Sequence, residues 1–513
     1  MRHRFVISSA IFAIVAAVVL LTSGANVGAA RFMMPPRGAI MATVGGPAAS
    51  PPIAPGFLGL SLEYSAVASY AGPNPAAVNP VLVQLMRNLA PEPDQSPVLR
   101  IGGDSTDRTW WPVAGIPRPP GVTFTITPRW LAVVRSLARA IGGRLVLGIN
   151  LEADSEALSA AEARAIVAQI PPSELAALEL GNEPELYAAF RWYRTPDGQG
   201  VYGRPAGWEF KTFVQEYSRF ATALPHVPLA GPTTGVSQWI RDVPRFLAAE
   251  PEVKLVTVHR YPLQRLYTRR DSPKFPTIAH LLAESSSRGL ANSVAAYASM
   301  AHRRGLTLRV DELNSVACEG KPGVSNVFAS ALWALDTGFE MARVGVGGVN
   351  IHMLPGSAYQ PFTVSRSGGR WQSFVEPEYY GLLMFAQAAP PGSQLLHVYS
   401  PAEAGVRIWA TRAVNATVRI VLINDTAGRR VVAVQAPATP PAATASLEQL
   451  LAPSLRARTG VTLGGQSFGS QTNTGLLSGR STVRSALRID GDYVVTLPAY
   501  SAALLTLTSK RAS

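Results

Sequence analysis

Two glutamates stand where chemistry would be expected. Glu183 ends the apolar run Leu178-Glu179-Leu180-Gly181-Asn182-Glu183, and Pro184 stops that run directly behind it. Glu312 occupies the same place in a second run, Leu308-Arg309-Val310-Asp311-Glu312-Leu313-Asn314-Ser315. A carboxyl group delivered at the carboxyl end of a strand is how a barrel enzyme presents an acid. Two of them are the minimum equipment for cleaving a glycosidic bond: one protonates the leaving oxygen and the other attacks the anomeric carbon. Taken singly, each could be a loop carboxylate in a surface ion pair. Their matched placement on two runs favours chemistry.

Such a pair needs a scaffold that brings distant strand ends to one mouth. Short apolar runs at 57–63, 98–101, 145–150, 178–180, 229–231, 255–259, 308–310 and 349–352 alternate with helix-like segments. The clearest of those segments are 77–89, 130–141, 160–170, 209–223, 239–249 and 328–341. Eight runs alternating with helices predict an α/β fold, a (β/α)8 TIM barrel over 56–390. An open doubly wound sheet would want a glycine-rich phosphate loop after its first strand, and Gly59-Leu60-Ser61-Leu62-Glu63 is neither that nor a Gly-x-Ser-x-Gly elbow. From about 391 to 513 short β-like runs alternate with Gly, Pro, Asn and Asp turns, which predicts an all-β sandwich as an accessory domain. Residues 31–55 form a linker whose short run near Ile40 could add a strand to it.

Composition narrows the partners. Among 513 residues 47% are hydrophobic and 15% charged, as in a globular chain. The formal net charge is +13, yet the arginines are scattered, with no cluster longer than a pair such as Arg269-Arg270. A nucleic-acid partner is therefore not expected. An anionic substrate is compatible with the charge, and so is an arginine bias without functional meaning. The seven histidines show no metal-ligand spacing, so neither a metal nor an organic cofactor is expected. The single Cys318 forbids an intrachain disulfide. Arg2 and Arg4 precede an apolar run from Phe5 to Leu21, and small residues follow to Ala30. Residues 1–30 thus read as an export signal, or, if uncleaved, as a membrane anchor. Either way the mature protein is expected outside the cytoplasm, in the cell envelope or secreted.

Gly181-Asn182-Glu183-Pro184-Glu185 resembles the acid/base motif of the retaining (β/α)8 glycoside hydrolases. The stretches Leu99-Arg100-Ile101-Gly102-Gly103-Asp104, His259-Arg260-Tyr261-Pro262, Asp311-Glu312-Leu313-Asn314-Ser315 and Gly356-Ser357-Ala358-Tyr359-Gln360 narrow the likeness to glycoside hydrolase family 79, the heparanase-like and β-glucuronidase family. The resemblance implies Glu183 as general acid/base, Glu312 as nucleophile and Asn182 as a donor to the hydroxyl beside the anomeric carbon. It implies that Asp104, Tyr261 and His352 line the sugar pocket, and that Tyr359 with the amides around Gly356 holds a uronate carboxylate. His352 read alone could be a core histidine, and Asp104 a turn-former. The substrate implied is a carbohydrate containing uronic acid. The segment Val316-Ala317-Cys318-Glu319-Gly320 departs from the family in offering no tyrosine or lysine to an acid group.

Overall fold

A computed structural model of the chain describes residues 37–91, 95–401, 405–436 and 444–508; the expected export segment lies outside them. Eight parallel strands close into a barrel: Leu58–Glu63, Val98–Gly102, Arg144–Ile149, Leu175–Leu180, Leu229–Thr234, Val253–Arg260, Thr307–Leu313 and Gly348–Met353. Closure comes where Val349 pairs with Leu58 and Ile351 with Leu60. Every apolar run assigned to the barrel forms one of these strands. They read as near-continuous apolar runs because helices cover the outside while side chains fill the inside.

The helices follow from local chemistry. Pro128–Ile141 starts at Thr127, whose hydroxyl accepts the Trp130 N–H, and ends at Gly142 in the left-handed conformation. The single helix expected over 239–249 is instead two, Ser237–Ile240 and Val243–Ala249. Pro244 is the reason: it lacks the N–H that a continuous helix would need and sits in the first turn of the second one. The helix Arg288–Arg303 buries Leu290, Ala291, Val294, Ala298 and Ala301 on one face; three of these five are alanine, so its apolar signal in the sequence is weak.

The accessory domain is an eleven-stranded sheet folded over itself. Val418, Ile420 and Leu422 of the strand Val418–Asn424 pack inward with Val432 and Val434 of Arg430–Gln435 and with Val495 and Leu497 of Asp492–Leu497. The alternate residues Val421 and Ile423 belong to the core shared with the barrel. Period-two alternation thus serves two cores at once. The middle of this sheet is Ile40–Pro47, which runs antiparallel to Gln394–Tyr399 and parallel to Arg430–Gln435.

Candidate active site

Along each barrel strand alternate residues face the lumen. On the fourth strand this places Glu179 inward, and on the second Arg100. The seventh breaks the alternation. Val258 pairs with Val310 but the next residue, His259, pairs with Glu312, so Asp311 is an extra residue in the ladder. That bulge lets Asp311 meet Arg100 in the barrel interior while Glu312, the next residue, borders the cleft. A second irregularity in the fifth strand, around Thr233 with φ +55, brings the Thr233 hydroxyl to 3.0 Å from His259 Nε2. Glu183 itself sits at φ +44, left-handed and uncommon for a residue with a side chain. Its N–H donates to the Thr233 carbonyl at 3.0 Å, which fixes the turn. Departures from regular backbone gather where the two glutamates meet.

Glu183, His259 and Glu312 converge, with one ligand-type atom of each lying within 4.8 Å of the others. His259 Nδ1 stands 3.0 Å from Glu183 Oε1 and 3.9 Å from Glu312 Oε2. Glu312 is almost buried, yet Arg100 Nη1 donates to its Oε2 at 2.7 Å and the Tyr261 hydroxyl to its Oε1 at 2.9 Å. Burial opposes its charge, but His352, His259, Arg100 and the Tyr261 hydrogen bond outweigh burial and hold the carboxyl well below the usual range. Glu312 is therefore an anion. Burial likewise opposes the His259 imidazolium, but Glu312, the hydrogen bond with Glu183 and Asp311 lift it to about 9. The three converging groups have the ligand types of a cation site. The Arg100 guanidinium, donating to Glu312, compensates the negative charge on that side of the group.

Arg100 is wholly buried and organises the floor. Its Nε donates to Glu179 at 2.8 Å and lies 3.2 Å from Asp311, while Nη2 donates to Asn182 Oδ1 at 2.9 Å. Arg100 thus orients the Glu312 carboxylate and anchors ion pairs beneath it. Asn182 also donates to Asp104 at 3.3 Å, so Asp104 faces the cleft. The surrounding protein, together with Glu63, Glu183 and Glu312, raises Asp104 to about 7. His352 is buried but not inert: its Nδ1 lies 3.1 Å from Ser61 Oγ and 3.7 Å from Glu312. Tyr359 borders the cleft, its ring 6.3 Å from that of Tyr261.

Gly356 is exposed at φ +85 and is not among the residues lining the cleft; Leu354 and Tyr359 represent its loop there. The segment 316–320 packs behind Tyr359. Ala358 donates its N–H to the Glu319 carbonyl at 2.8 Å, and a side chain on Gly320 would strike the Tyr359 backbone. Burial pushes the Cys318 thiol up, which leaves it a poor nucleophile. Sequence reasoning quoted His259 but gave it no role, and it passed over Glu179 and Asp311. A histidine at a strand end was the available signal for the first. Nothing local marks the other two, whose partner is on another strand.

The cleft has a volume of about 1180 Å³. No protein-family model matches the chain. A β-glucuronidase of Aspergillus niger is 25% identical to it, across 91% of this chain and 93% of that protein. A β-glucuronidase of Neurospora crassa is 23% identical, across 69% of this chain and 67% of that one. Among solved structures, a 4-O-α-L-rhamnosyl-β-D-glucuronidase from Fusarium oxysporum superposes with a TM-score of 0.66 at 20% identity, over 90% of this chain and all of that one. A GH51 arabinofuranosidase from Xanthomonas axonopodis superposes at 0.64 with 16% identity, over 92% and 100% of the respective chains. These superpositions bear on the fold, a (β/α)8 barrel with a β-sandwich.

Proposed function

We propose that this protein is an exported retaining β-glycosidase of the family 79 type that releases β-linked glucuronic acid. The chain is a glycoside hydrolase, and the finer reading rests on one observation above the rest. Carboxylate oxygens of Glu183 and Glu312 lie within 4.8 Å of each other. Retaining enzymes hold their carboxyl groups about 5–5.5 Å apart, whereas inverting ones leave roughly 6.5–9.5 Å for a water molecule. The Glu312 anion attacks the anomeric carbon while Glu183 gives its proton to the leaving oxygen, so the glycosidic C–O bond breaks as the enzyme–sugar bond forms. A water then attacks the same carbon, Glu183 takes its proton, and Glu312 is released. His259, donating to Glu183 Oε1, leaves the second oxygen to carry the proton.

The uronate preference is supported by the two β-glucuronidases aligned with this chain, and by the Tyr261 and Tyr359 phenols beside Glu312. A second reading, the same mechanism on a neutral β-sugar, is favoured by the carboxyls of Glu63 and Asp104 bordering the cleft, which repel an anion when ionised. Hydrolysis of a β-glucuronide and of the matching β-glucoside by wild type, Glu183→Ala and Glu312→Ala separates these. The first-formed anomer is read by NMR. The proposal expects glucuronide cleavage with the β-anomer appearing first and a rate loss of about 10³ in each variant. Cleavage of the glucoside alone overturns the substrate, and an α-anomer overturns the mechanism.

A further inference from the structure

Beyond the two catalytic carboxyls the cleft wall carries an aromatic pair that the reaction above does not use. Phe190, just past the turn behind Glu183, is 42% exposed, and Tyr267, in the loop after the sixth strand, is 77% exposed. Their ring centroids are 5.5 Å apart at an interplanar angle of 66°. Both line the cleft that holds Glu183 and Glu312. Large aromatic side chains are normally withdrawn from water, and a paired, exposed set on a cleft wall marks a binding surface. Tyr267 is moreover held at φ +61, an unfavourable conformation for a bulky residue that turns it outward. Trp192, which also borders the cleft, behaves otherwise. Trp192 is buried against Trp110, Val122 and Leu158 and donates to the Asp107 carbonyl at 2.8 Å.

Resting on the glycosidase reading, we infer that Phe190 and Tyr267 form a leaving-group subsite that stacks on the apolar face of a second sugar ring. A cleft of about 1180 Å³ exceeds what one monosaccharide fills, since sites of roughly 300–1,000 Å³ accommodate whole drug-sized ligands. The pair stands on loops carried by the fourth and sixth strands, either side of the strand end that carries Thr233. A substrate anchored in the sugar pocket would thus extend its leaving group over these rings. The natural substrate is then a glycan with a further sugar beyond the scissile bond rather than a small glucuronide.

Binding decides this independently of turnover. In the full chain carrying Glu312→Gln, Kd is measured for methyl β-glucuronide and for a disaccharide with β-linked glucuronic acid on a neutral hexose. The disaccharide binds about tenfold more tightly, as stacking on an aromatic face allows. Tyr267→Ala or Phe190→Ala removes most of that advantage, and Tyr267→Phe keeps it. Equal affinity for the two ligands, or an advantage that survives both alanine substitutions, overturns the subsite. Hydrolysis of β-glucuronyl fluoride by wild type is the separate check on the glycosidase reading; silence there counts against that reading, while the Kd comparison still decides the platform.

Discussion

At the scale of single residues the site is a charge ledger in which each group fixes its neighbours. Arg100 carries the greatest share. It is buried among Glu179, Asp311 and Glu312, so deleting its charge leaves carboxylates without compensation. Arg100→Met is expected to lower stability by about 3–5 kcal/mol, read from the urea midpoint, and to abolish activity. Arg100→Lys keeps the charge but not the fork that reaches Glu179, Asn182 and Glu312 together, and should recover only part of both. His259 gives a pH signature. Its folded pKa of about 9 exceeds the ordinary histidine value of about 6.5, so its stabilising contribution is complete below about pH 6.5 and is lost as pH rises through 9. The urea midpoint of wild type should fall across that window relative to its neutral-pH value, and His259→Gln should lack this decline. Asp104 acts on specificity. Neutral below about pH 7 and anionic above it, it should repel a uronate as pH rises. The ratio of kcat/KM for a β-glucuronide to that for the matching β-glucoside is expected to fall above about pH 7 in wild type but to stay level in Asp104→Asn.

At the scale of elements, helix and strand placement depends on how closely backbones approach. A side chain on Gly381, in the helix Pro377–Ala388, would collide with the Ala331 carbonyl of the helix Phe328–Arg343. Gly381→Ala should therefore cost about 1–3 kcal/mol by forcing the helices apart. Gly289, in Arg288–Arg303, has its nearest atom 3.6 Å from an added Cβ, and Gly289→Ala should instead stabilise by about 0.5–1 kcal/mol; denaturant melts compare the two. The elements were the most legible part of the sequence. A barrel strand buried on both faces leaves an apolar run, so all eight appeared in order, and Glu183, Glu312 and Asn182 could be placed at strand ends. The interior charge was not legible. Glu179 sits between two leucines like an accident, and its meaning depends on Arg100 from another strand. The bulge at Asp311 is equally hidden, because an extra residue is defined only by the partner strand.

At the scale of the whole molecule the barrel and the β domain are joined through one core. Val421, Ile423, Ala502 and Leu504 of the β domain pack into the same cluster as the barrel helices, and Trp409 donates to Asp336 at 2.9 Å across the boundary. Removing residues 391–513 would bare that apolar surface, and the truncated chain is expected to be insoluble on expression. The strand Ile40–Pro47 adds a matter of timing. Thr43 and its neighbour Gln435 are 392 positions apart, and a ribosome adds roughly 5–20 residues each second. A strand made among the first must therefore wait tens of seconds, with both edges open, before the partners that flank it have been synthesised.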